Sequence, residues 1–187
     1  MNLKRIIPVF LALILLTGCA GVKDTMDRAM ALRSALLAKG AEFDTTVTAD
    51  YGDLICSFGM HCRLDKAGKL TFTVTSPESI AGITGELSST GGKLTFDDKV
   101  LAFSMLADGQ VSPVSGPWIL MKTLRSGYLT SCGMEAGCIR VAIDDSYADD
   151  ALHLDIWLDE KDLPKRGEIL WKGRRILSLD IENFVFL

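Results

Sequence analysis

Apolar residues recur at three- and four-residue steps in one early segment and at every second position through most of the rest. Met26, Ala29, Met30, Leu32, Leu36 and Leu37 predict a helix over 24–39, stopped by Gly40. Period two then takes over. In 51–64 one face carries Leu54, Cys56, Phe58, Met60, Cys62 and Leu64, while Asp53, Ser57, Gly59, His61 and Arg63 alternate with them. Lys66 to Lys69 turns the chain, and Leu70, Phe72 and Val74 alternate with three threonines, giving a hairpin with both apolar faces on one side. Phe43, Val47 and Ala49 precede it, and short strands follow over 82–89, 93–97 and 100–106, around Ser88–Gly92 and Asp97-Asp98. Later strands show Ile139, Val141 and Ile143, then Leu152 to Leu158, then Ile169 and Trp171, then Leu177, Leu179 and Ile181, with turn-rich links over 144–150 and 159–167.

One segment breaks the alternation. Pro113 to Pro117 leads into Trp118–Arg125, apolar nearly all round and ended by Gly127, which fits a short buried helix with Pro117 near its first turn. The order is therefore helix, about six strands, short helix, about five strands. Each strand has one apolar face and no second set of strands exists to cover it. A wide sheet twists and curls on itself. The expected fold is mainly β (α+β): an unclosed antiparallel β-barrel or half-barrel of about 10 to 11 strands, with the N-terminal helix and a short lid helix near 117–126 on the concave face. Such a trough leaves room for an apolar cavity. Its candidate lining is Phe58, Met60, Phe72, Val74, Phe96, Phe103, Trp118, Met121 and Leu124. The alternative is that helices and large side chains fill it.

The start of the chain carries a different signal. Lys4 and Arg5 precede an uncharged run, Ile6–Leu16, that is too short to span a bilayer, and Leu16-Thr17-Gly18-Cys19 closes it. That close resembles the lipobox of bacterial lipoproteins, in which the cysteine is lipid-modified and becomes the first residue. The domains expected are a signal peptide over 1–18, a lipidated N-terminus and first helix over 19–40, and a curved sheet over 41–187. The last two form one domain. Localisation would be extracytoplasmic, with a membrane anchor through lipid on Cys19 (in an outer membrane if the source has one). Without 1–18 the balance is 18 basic against 24 acidic side chains, net −6, a poor match for nucleic acid.

Cys56, Cys62, Cys132 and Cys138 remain, an even count with three possible connectivities. Along one strand Cys56 and Cys62 would stand about 20 Å apart, beyond disulfide reach. Cys132 and Cys138 enclose Gly-Met-Glu-Ala-Gly and could close across a turn, or in a reducing setting all four could stay as thiols. Cys-x5-Cys is not a typical zinc spacing, and neither metal nor cofactor is expected. His61 and His153 fall on polar strand faces and read as surface residues. No hydrolase, P-loop or metalloprotease motif is present, and the acidic run 144–150 lacks calcium-loop spacing. No enzymatic activity is expected.

The whole pattern resembles the LolA/LolB lipoprotein-localisation superfamily, in particular its Gram-positive lipoprotein members. The lipobox, the 24–39 helix, "YGDLICSFGMHCRLDKAGKLTFTVTSPESIAGI" (51–83), "GGKLTFDD" (91–98), "PWILMKTLRSG" (117–127) and "LPKRGEILWKGRRILSLDIENF" (163–184) carry it. The resemblance implies an open barrel of about eleven strands with helices as a lid over an apolar cavity. It also implies binding of acyl chains (palmitate-like lipid or a lipoprotein's acyl groups) without catalysis. Some spore-former relatives act in germination, so an envelope protein partner with no ligand is the alternative. The chain departs from soluble LolA in its anchor and shows no counterpart of the protruding apolar loop of LolB.

Overall fold

The computed structural model describes residues 18–96, 99–103, 106–107 and 110–187. Residues 1–17, where the signal peptide is expected, and Asp97-Asp98 lie outside it, as do the side chains of Cys19 and Phe103. Eleven strands form one antiparallel sheet: β1 (Ala41–Asp50), β2 (Ile55–Leu64), β3 (Leu70–Ser76), β4 (Thr84–Ser88), β5 (Gly91–Phe96), β6 (Lys99–Phe103), β9 (Tyr128–Glu135), β10 (Cys138–Asp144), β11 (Leu152–Leu158), β12 (Pro164–Trp171) and β13 (Arg174–Phe186). A small ladder of β7 (Leu106–Ala107) and β8 (Gln110–Val111) stands apart from it. The order is β6-β5-β4-β3-β2-β1-β13-β12-β11-β10-β9, so the last strand closes beside the first and β6 and β9 are free edges. The half-barrel expected from the alternation is the observed architecture.

Among the described residues two α-helices accompany it: α1 (Gly18–Ala38) and α2 (Gly116–Ser126), the latter entered through a 3₁₀ turn at Pro113–Ser115. Helix α1 begins earlier than its periodicity predicts and buries a narrow stripe of Thr25, Ala29, Leu32 and Leu36, leaving Met30 and Leu37 exposed. It packs on β9 and α2. Helix α2 has Pro117 in its first turn and buries Gly116 to Met121, Thr123 and Leu124. Its main neighbours in the sheet are β1, β10, β12 and β13. Leu120 reaches so close to β12 that a Cβ on Gly167 would lie 1.9 Å from its Cδ1, so any larger residue at 167 would force the Leu120 side chain to move.

Two expectations need correction. The strand foreseen over 51–64 starts at Ile55, because Asp50–Leu54 forms the β1–β2 turn. Gly52 takes φ +90 there, Asp50 Oδ1 accepts its N–H at 2.9 Å, and Tyr51 N–H bonds Leu54 O at 3.0 Å. Leu54 thus leaves the apolar face and is 60% exposed, with Ile55 at 67%. The bridge foreseen between Cys132 and Cys138 is not formed, and all four described cysteines are free. The turn is tighter than Gly-Met-Glu-Ala-Gly suggests: Ala136 and Gly137, both at positive φ, connect Glu135 directly to Cys138. That register sets Cys132 opposite Val141, several residues from Cys138 and on the other face.

Candidate functional site

Strand register fixes which side chains share the concave face. One row runs Phe43, Cys62, Phe72, Gly85, Leu94, Leu101 from β1 to β6, and another runs Ala41, Leu64, Leu70, Leu87, Gly92. Val47, Phe58, Met60 and Val74 continue the face toward the other end. Of the nine candidate lining residues, Phe58, Met60, Phe72, Val74, Trp118, Met121 and Leu124 lie together in one buried cluster. Phe96 does not join them; it is 56% exposed at the end of β5. Phe103 sits in β6, and its side chain is outside the described set.

The sheet is therefore covered unevenly. Beneath α2 the inner face is packed, with Leu120 and Met121 fully buried. At the β4–β6 wing the same face opens to solvent. Phe96 and the inward-facing Leu101, which is 64% exposed, stand beside the half-buried Ile83 and Leu94. Sequence reading missed Leu101 because β6, Lys-Val-Leu-Ala-Phe, is apolar on both faces and gives no alternation to follow. Among the described residues the inner face of this wing offers apolar surface without a nucleophile or acid–base pair.

The polar outer face carries ordered charge clusters. His61 Nδ1 lies 2.7 Å from Asp44 Oδ1, and Asn183 Nδ2 donates to Asp44 Oδ2 at 2.8 Å. These bonds, Asn183's first, hold the Asp44 carboxyl below the usual carboxylate range. A groove of about 670 Å³ runs over this face, lined by Glu42, His61, Arg63, Glu86, Lys93 and a set of threonines. On the far half, His153 Nδ1 stands 2.7 Å from Asp144 Oδ1, and the buried Asp155 accepts Arg140 Nε at 2.9 Å. Trp157 lies between Arg140 and Arg166, 5.9 and 5.3 Å from its ring. Both histidines are partly exposed yet paired, which face alternation alone does not reveal.

Other shifts follow burial. It pushes the Cys62 thiol well up, with a smaller contribution from Asp44, and takes the Tyr51 phenol up to about 12, helped by Cys56. Neither group is poised as a nucleophile or base at neutral pH. Arg33, depressed by burial, caps the last turn of α2: its Nε donates to Leu124 O at 2.7 Å and its NH2 to Gly127 O at 2.8 Å. Among the described residues no group of three or more His, Cys, Asp or Glu could hold a metal ion. No helix among them is long and apolar enough to cross a membrane.

The fold aligns with several solved structures. A putative outer membrane lipoprotein-sorting protein domain from Vibrio parahaemolyticus is 10% identical, with 88% of this chain and 93% of that one covered at a TM-score of 0.48. A LolA superfamily protein from Nitrosomonas europaea is 9% identical, covering 83% and 92% at a TM-score of 0.45. The lipoprotein LppX from Mycobacterium tuberculosis is 13% identical, covering 84% and 94% at a TM-score of 0.39. No protein-family model matches the sequence, and no curated protein matches it either.

Proposed function

We propose that this chain is a lipid-anchored extracytoplasmic lipoprotein that takes acyl chains or another hydrophobic ligand on its concave face, without catalysis. One observation carries the reading: the apolar inner face continues past the helix-covered core onto the β4–β6 wing, where Phe96 and Leu101 are exposed beside Ile83 and Leu94. Apolar surface left in water on the inside of a trough gains roughly 25 cal/mol per Å² when a hydrocarbon chain covers it, before the costs of association. Phe58, Met60, Phe72, Val74, Met121 and Leu124 then form the floor and lid support rather than first contacts. The lipobox at Leu16–Cys19 supports the anchor. The test is lipid extraction and mass spectrometry of protein carrying Cys19→Ser. Co-purified lipid that disappears in Phe96→Asp/Leu101→Asp is the expected result. Clean protein under both conditions rejects the reading.

A second reading is favoured by the filled core under α2. The chain would then bind an envelope protein rather than a ligand, with the open edge strand β6 as its docking edge, since an unpaired strand offers backbone donors and acceptors to a partner. Lipid-free protein whose partner binding depends on Val100 and Leu101 would decide in its favour.

A further inference from the structure

Between the end of α1, the flank of α2 and two hairpin turns lies a depression of about 400 Å³. Its walls are Leu37, Ala67, Trp118, Ser88, Ser89 and Ser126, and its charged members are Lys69, Lys122 and Arg125, with no carboxylate among the lining residues. In a chain of formal net charge −4, a hollow with only positive side chains is a local exception. The three cations are not equally engaged. Lys69 is ion-paired with Glu86 of β4. Lys122 Nζ stands 5.6 Å over the Trp118 ring, and Arg125 NH2 donates to Lys66 O at 2.6 Å; among the described residues neither has a carboxylate partner. Trp118 Nε1 donates to Gly68 O at 2.9 Å, fixing the wall that carries the indole.

We propose that this depression binds the phosphate group of an anionic amphiphile. Lys122 and Arg125 would meet the phosphate oxygens, the serine hydroxyls would complete their hydrogen bonds, and Trp118 and Leu37 would cover the first methylenes. The chemistry is that of charge-assisted hydrogen bonds, in which Arg and Lys serve as planar and point donors to phosphate. A zwitterionic headgroup brings its own cation toward Lys122 and Arg125, which no described carboxylate neutralises, and is disfavoured. The same phosphate chemistry could come from a free anion, which lacks any apolar part for Trp118 and Leu37. This deepens the proposed function, on which it rests for the acyl chains, by naming the charge class of the ligand.

The test is titration of the full-length protein in non-ionic detergent, followed by intrinsic tryptophan fluorescence. The probes are short-chain phosphatidylglycerol, short-chain phosphatidylcholine and inorganic phosphate. Phosphatidylglycerol is expected to bind about tenfold or more tighter than phosphatidylcholine, as charge-assisted contacts imply. Lys122→Gln/Arg125→Gln should erase that preference, Lys122→Arg should keep it, and Lys161→Gln, on a distant turn, should leave it unchanged. Equal binding of the two lipids overturns the proposal, as does a preference that survives the double substitution. Inorganic phosphate binding as tightly as the lipid also overturns it, by making the hollow a plain anion site. Equal binding with retained uptake of uncharged lipid at the wing spares the proposed function, whereas absence of all lipid binding ends both.

Discussion

The two halves of the sheet obey the same alternation and end in different surroundings. From β10 through β13 to β1, inward residues such as Ile143, Leu154, Ile169, Leu177 and Val47 are buried, and α2 packs on β1, β10, β12 and β13. From β4 to β6 the strands are short, five or six residues each, and the inward Phe96 and Leu101 remain largely in water. The difference lies in cover rather than in pattern. An apolar stripe states which face avoids water, and a second element must arrive to complete the burial. On one half the chain supplies α2, seated by Gly167 and capped by Arg33. At the wing a hydrocarbon chain or a partner strand would do the same work. The edges differ likewise: α1 packs on β9, while Val100 of β6 is 66% exposed.

Substitutions sharpen this contrast, beginning where the effect is greatest. Leu120→Ala should cost about 2–5 kcal/mol in chemical denaturation, since the side chain is fully buried against Gly167 and leaves a cavity. A loss below about 1 kcal/mol would mean that α2 is not seated as described. Arg33→Ala should cost about 1–3 kcal/mol, because the carbonyls of Leu124 and Gly127 lose their donors in a half-buried site. Phe96→Ser at the wing should change stability by no more than about 0.5 kcal/mol, as expected of an exposed side chain, while reducing lipid uptake. A large destabilisation there would show that the wing is part of the core. The smallest effect concerns pH. Asp44 has its pKa depressed in the fold, so its contribution is present above the ordinary carboxylate value of about 3.9 and is lost as pH falls through the lower folded value. Asp44→Asn should therefore lower Tm slightly at neutral pH, and the gap to the parent protein should narrow in acid. A gap that widens in acid would contradict the assigned sign.

Much of the half-barrel was legible because alternation is local. Phe72 and Val74 read as inward from their own neighbours, and Pro117 marks the start of α2 from its fixed φ and missing N–H. What escaped was set by choices between distant segments. Nothing near Leu54 says that the chain turns at Gly52 rather than running on as a strand. Nothing around Cys132 says that Ala136 and Gly137 make the whole turn and carry the two sulfurs out of reach. Phe96 read as a lining residue like Phe72, yet only their surroundings in the fold, one exposed and one buried, distinguish them. Lys122 and Arg125 share a face of α2 at an i,i+3 spacing, but no spacing in the chain brings Lys69 of a hairpin turn beside them.

The sequence by itself determined the face each strand turns inward, the two helices and their stops, and the lipobox-like start, because each depends on residues within a few positions of one another. The tertiary structure decided which stretches of that face are covered, which cysteines stand apart, and which cations share a hollow. Those outcomes depend on contacts between segments far apart in the chain, where burial of one surface is won only by leaving another bare.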